Sequence, residues 1–368
     1  MRLGWFRSML AAVVAVAALM AADGMWTALD RLRRRLSFGT AVEYRYAALD
    51  VLAAHTVLME RPDSRSALVV GPGSAPVAES LSIVGLSCST NGVVDARYGL
   101  VIACGRRRPD WRTLVDRALP DGAVAWFFNV RDMSARELRD GMKAFPGEEA
   151  RLWMVGEDDW LLTGRLEPCL LKLDKMLEMF LSDGAIEELV KSGCDSLPEL
   201  FASYAGARSD ITPAFESGDL SAKVRPEFFL SKEIPAITWI DKGAAEDDIY
   251  KDVMQEIRSM QVVRRVVVEG NMLSRAGKVE ESIDKWASAM LRNPHDSMLL
   301  DRLYRLAVNA SAFEKIGNIP GAAKCYETMV AVRPKDIAAL EHYAECLRRL
   351  GNKEIAEAID RRAMELRR

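Results

Sequence analysis

The chain has 368 residues, of which 49% are hydrophobic and 28% charged, and 50 basic against 53 acidic side chains leave a formal net charge of −3. That composition excludes a disordered chain, a collagen and a polytopic membrane protein, and at roughly 150 residues per domain it allows two cores. Balanced charge gives no electrostatic reason to expect nucleic acid as a partner. The six cysteines form no C-x-x-C pair and the histidines (His55, His295, His342) are dispersed, so neither a zinc cluster nor a disulfide scaffold is readable.

Residues 8–22 are uncharged between Arg7 and Asp23. The run is short for a bilayer span, which takes about 20 apolar residues. Beyond it Arg31, Arg33, Arg34 and Arg35 outnumber Arg2 and Arg7, and the positive-inside rule then holds the bulk of the chain in the cytoplasm. Residues 1–36 are therefore expected to be a membrane anchor with a basic juxtamembrane helix, in a bacterial-type inner membrane with a cytoplasmic body. The alternative is an export signal cleaved near Ala21-Ala22.

From Ala47 to Met59 apolar residues recur at helical spacing until Arg61-Pro62-Asp63-Ser64 stops the helix. Ala67–Val70 is a short apolar strand that ends in Gly71-Pro72-Gly73-Ser74-Ala75-Pro76, and Pro76 suits the first turn of a helix. Further strands are expected at Leu100–Ala103, Ala123–Phe128, Arg151–Val155 and Trp160–Thr163, with helices at Trp111–Ala118 and Ala135–Ala144. Alternation of this kind predicts a parallel-sheet α/β domain over 37–165, closed by an antiparallel hairpin at the sheet edge that turns at Gly156–Asp159. Leu166–Phe180 reads as an amphipathic helix, and four prolines after it make 166–262 a helical connector.

The last third repeats. Gly277 and Gly317 stand seventeen residues before Pro294 and Pro334, and Gly351 follows Gly317 by 34 residues. Small residues recur at Gly270, Ala310 and Ala344 and again at Ser282, Ala322 and Ala356, with Leu273, Phe313, Leu347, Trp286 and Tyr326 filling the large slots. This helix-turn-helix period resembles the tetratricopeptide repeat, as three units over 263–368. The resemblance implies an α-solenoid with a groove for a protein or peptide, for which Asn271, Arg275, Asn309 and Tyr343 are the candidate lining residues.

A strand, a G-x-G turn and a helix together bring a nucleotide-like ligand against backbone. Asp50–Ala75, DVLAAHTVLMERPDSRSALVVGPGSA, resembles the glycine-loop region of spermidine synthases. Tyr98–Gly105 resembles the strand that ends in that family's catalytic aspartate, Leu119–Ala123 its LKPGG turn, Met133–Gly164 its closing helix and hairpin, and Val224–Ser231 its D-R-P-x-L-E-F signature. The resemblance implies a methyltransferase-like Rossmann fold, with Gly71, Gly73, Ser74 and Asp95 as cofactor-binding candidates. The departures are chemical. Asp50 stands in place of a histidine, Ser74 in place of a glycine-loop acid, and Cys104 in place of the catalytic aspartate. Only 24 residues separate Gly73 from Tyr98, so at least one strand–helix unit is expected to be missing.

These readings make the chain a pseudoenzyme that scaffolds a partner through its repeats, with no cofactor expected. The alternative is an active aminopropyl- or methyltransferase that holds S-adenosylmethionine or its decarboxylated form. Arg106–Arg108 reads as a solvated basic run and otherwise as a phosphate ligand. Glu157-Asp158-Asp159 reads as a solvated turn, His55 as a hydrogen-bonded core residue, and Trp126, Trp153, Trp160, Trp239 and Trp286 as core.

Overall fold

The computed structural model describes residues 40–91, 96–147, 149–167, 169–192, 194, 196–216, 219–229, 234, 236–293, 298, 300–332 and 334–367. The expected anchor at 8–22 and Asp95 lie outside the described residues, among which no helix is long and apolar enough to cross a membrane.

Helix α1 (Thr40–Glu60) leads into β1 (Ser66–Val70), α2 (Ser74–Ile83), β2 (Ser87–Ser89), β3 (Tyr98–Cys104), α3 (Trp111–Val115), β4 (Ala118–Asn129) and α4 (Ala135–Lys143). The pair β5 (Arg151–Trp153) and β6 (Asp159–Arg165) follows, then β7 (Leu171–Lys172), α5 (Leu173–Phe180), α6 (Asp183–Lys191), α7 (Leu197–Phe201), β8 (Tyr204–Ala207), α8 (Arg208–Glu216) and β9 (Ile240–Asp241). One seven-stranded mixed sheet runs β2-β1-β3-β4-β6-β5-β8. Its first four strands are parallel, and β6, β5 and β8 are each antiparallel to the strand before them in that order.

Parallel strands are covered on both faces, which is why β1, β3 and β4 read as nearly continuous apolar runs. On one face Val101, Val124 and Trp126 pack with Trp111 and Leu114 of α3 and Leu138 and Met142 of α4. On the other, Val69, Ile102 and Ala125 pack with Val57 and Leu58 of α1, Leu81 of α2 and Phe180 of α5. Helix α4 starts in a capping box, where the Ser134 side chain accepts from the Glu137 N–H and Glu137 accepts from the Ser134 N–H. The five tryptophans read as core are buried.

The α/β layout follows the sequence, but several particulars differ. The β5–β6 hairpin is interior, because β8 pairs with β5 and takes the edge. The connector reading of 166–262 thus gives way to a segment that supplies a strand and, through Phe180, Leu200 and Trp239, part of the core. The expected helix at Leu166–Phe180 starts only at Leu173, after β7 has paired with β9. Leu119–Gly122 is a loop-out inside β4 opposite Gly99 rather than a free turn.

Helix α9 (Asp247–Arg275) runs unbroken across the expected 262/263 boundary. It contributes Ile257 to one core and Val263 and Val267 to the other, and its Arg264 donates to the Met154 carbonyl at 3.2 Å. Five helices follow: α10 (Val279–Met290), α11 (Leu300–Lys315), α12 (Ile319–Val332), α13 (Ile337–Arg349) and α14 (Lys353–Arg367). They form three helix pairs with α9, and each pair is closed by the same turn. The N–H of Lys278, Asn318 and Asn352 donates to the carbonyl of Leu273, Phe313 and Leu347 at 2.9 Å each, with Gly277, Gly317 and Gly351 at φ +79 to +86°. These are Schellman caps, which need a left-handed residue and therefore glycine. The small residues lie at the crossings as the pattern requires. A Cβ on Gly270 would meet the Trp286 ring at 2.6 Å, and Ala310, Ala322, Ala344 and Ala356 are buried.

Candidate functional site

In a doubly wound sheet the ligand crevice opens at the carboxyl ends of the strands where the connections part to opposite sides. Here β1 leads through α2 to β2 on one flank, while β3 lies on the other, so the parting falls between β1 and β3. A cavity of about 440 Å³ lies at that place, with Val70, Gly71, Ala103 and Cys104 at the strand ends and Arg107, Asp110 and Leu114 also lining it.

The glycine turn is built for close approach of backbone to backbone. Gly71 sits at φ +95°, and a Cβ there would fall inside the Cys104 carbonyl. Gly73, at φ +81°, caps α2 without a side-chain hydrogen bond, and the first turn of α2 carries no acidic residue. Trp126 Nε1 donates to the Gly105 carbonyl at 2.8 Å, and the Gly105 N–H donates to the Phe127 carbonyl at 2.9 Å, fixing the chain as it leaves β3.

Cys104 is buried, and that burial, with the Asp50 charge second, pushes its thiol up to about 12. It is a neutral thiol at physiological pH and not an activated nucleophile. Asp50 is raised to about 7, first by burial and then by the charge of Asp159. Asp159 is buried and accepts from Asn129 Nδ2 at 2.8 Å. Two carboxyls and a thiol from α1, β3 and β6 thus gather beside the strand ends, a grouping that sequence separation hides.

Among the expected cofactor residues, Gly71 lines the cavity, while Gly73 and the half-buried Ser74 begin α2 beside it. Asp110 also lines it, but its carboxylate caps α3, accepting from the Arg112 N–H at 3.2 Å and from Thr113 Oγ1 at 2.7 Å. Of the basic run, Arg106 pairs with Asp132 at 3.0 Å. Arg107 and Arg108 are exposed. The expected solvated turn at 157–159 is instead engaged. Glu157 pairs with Arg275 at 2.7 Å and Asp158 with Arg131 at 3.0 Å.

The four expected groove residues separate. Asn271 is buried and accepts from Trp286 Nε1 at 3.0 Å, so it joins α9 to α10 instead of facing a groove. Arg275 is held by Glu157 and Glu227. Asn309 and Tyr343 are half-buried, and burial, with the Glu327 charge second, pushes the Tyr343 phenol up. His55 is in the core as expected, with Nε2 3.5 Å from Glu188 Oε2, but neither ring nitrogen makes the expected hydrogen bond. Glu188 accepts instead from Ser80 at 2.5 Å. No group of three or more acids, thiols and imidazoles among the described residues suits a metal ion.

No family model matches the chain, and neither a curated protein nor a solved structure does.

Proposed function

We propose that the chain is a non-catalytic, spermidine synthase-like protein, anchored through residues 8–22, whose tetratricopeptide-like pairs hold a partner protein against the cytoplasmic face of a membrane. The observation that carries this reading is Cys104. It stands where the resembled family places its catalytic carboxylate, and its thiol keeps its proton to about pH 12. A neutral, buried thiol neither holds a cationic amine nor takes its proton.

Support for the scaffold half comes from the way α9 joins the array to the sheet. One 29-residue helix belongs to both, and Arg264 and Arg275 fasten it to Met154, Glu157 and Glu227. Partner chemistry then falls to the second and third pairs, where Asn309 and Tyr343 are half-buried and Val308 is 47% exposed.

A second reading, an aminopropyl- or methyltransferase using an S-adenosyl cofactor, draws on Asp50. A carboxyl that titrates at about 7 suits a general base. The two readings separate on titration calorimetry of the full chain with S-adenosylmethionine, its decarboxylated form and 5′-methylthioadenosine. The scaffold reading expects no heat from any of them, and micromolar binding would replace it with the second. Cross-linking in membranes tests the array. Val308→Glu should lose the cross-linked partner while the melting temperature stays within a degree or two of the wild type.

A further inference from the structure

We draw no further inference here: the strongest candidate, the buried cluster of His55, Glu188 and Ser80 where α1, α6 and α2 meet, brings no third acid, thiol or imidazole to complete an ion site among the described residues, and no other observation points to what it would bind.

Discussion

Two sets of glycines turn this chain, and they do so for different reasons. In the helical array Gly277, Gly317 and Gly351 have nothing within 4 Å of where a Cβ would stand, so only their positive φ requires glycine. At the sheet Gly71 has a positive φ and also lies against the Cys104 carbonyl. The array glycines answer to the backbone next to them and recur with the repeat. Gly71 answers to a strand more than 30 residues away in sequence. A motif that looks the same in one dimension is thus a local cap in one place and a long-range contact in the other.

The sharpest contrast lies in what long-range contacts are worth. The far half of the sheet is tied to α1 by a buried network, in which Arg151 pairs with Glu60, Thr163 donates to Glu60 Oε1 at 2.6 Å, and Trp153 Nε1 donates to Thr163 at 2.8 Å. Arg151 also stacks 4.3 Å over the Trp239 ring. Removing one member of such a pair leaves a buried charge, so Arg151→Leu should cost about 3–5 kcal/mol, read as a fall in the urea midpoint. A smaller loss would mean that water reaches Glu60.

Gly71→Ala combines left-handed strain of about 1–2 kcal/mol with overpacking of about 1–3 kcal/mol, for a total of roughly 2–5 kcal/mol by chemical denaturation. Gly317→Ala meets only the strain and should lose about 1–2 kcal/mol. If the two variants lost the same amount, the distinction between the two kinds of turn would fail.

A pH slope tests the site itself. Asp50 titrates at about 7 in the folded chain against 3.8 as its ordinary value, so the native state holds this proton more tightly than the unfolded state does. Its share of stability is greatest below about pH 4 and declines as pH rises to about 7, above which it is flat. Asp50→Asn should flatten the fall in melting temperature between pH 5 and pH 7.5. An unchanged slope would show that Asp50 is open to water.

Much of the fold is legible in the residues. The strands at Ala67–Val70, Leu100–Ala103 and Ala123–Phe128 lie within β1, β3 and β4, and the α4 helix and the β5–β6 pair fall where the pattern puts them. The candidate site is legible in part. Gly71 and Cys104 are visible because strand, turn and helix are adjacent in sequence. Arg107 shows only as a basic run, and the Asp50–Asp159 pairing leaves no local trace, since the two are 109 residues apart. Asn271 and Arg275 sit on the right helix but are taken up by Trp286, Glu157 and Glu227, which no helical period reports.

The sequence by itself determined the elements whose causes are local: apolar runs bounded by Gly and Pro, and the three glycine turns with small residues at each helix crossing. Tertiary structure alone decided that β8 closes the sheet, that α9 belongs to both the sheet and the array, and that Arg107 and Asp110 line one cavity with Gly71 and Cys104. The physical reason is that hydrogen bonds within a turn or helix are made between near neighbours and leave a period, whereas strand order, buried ion pairs and cavity walls depend on which distant surfaces meet.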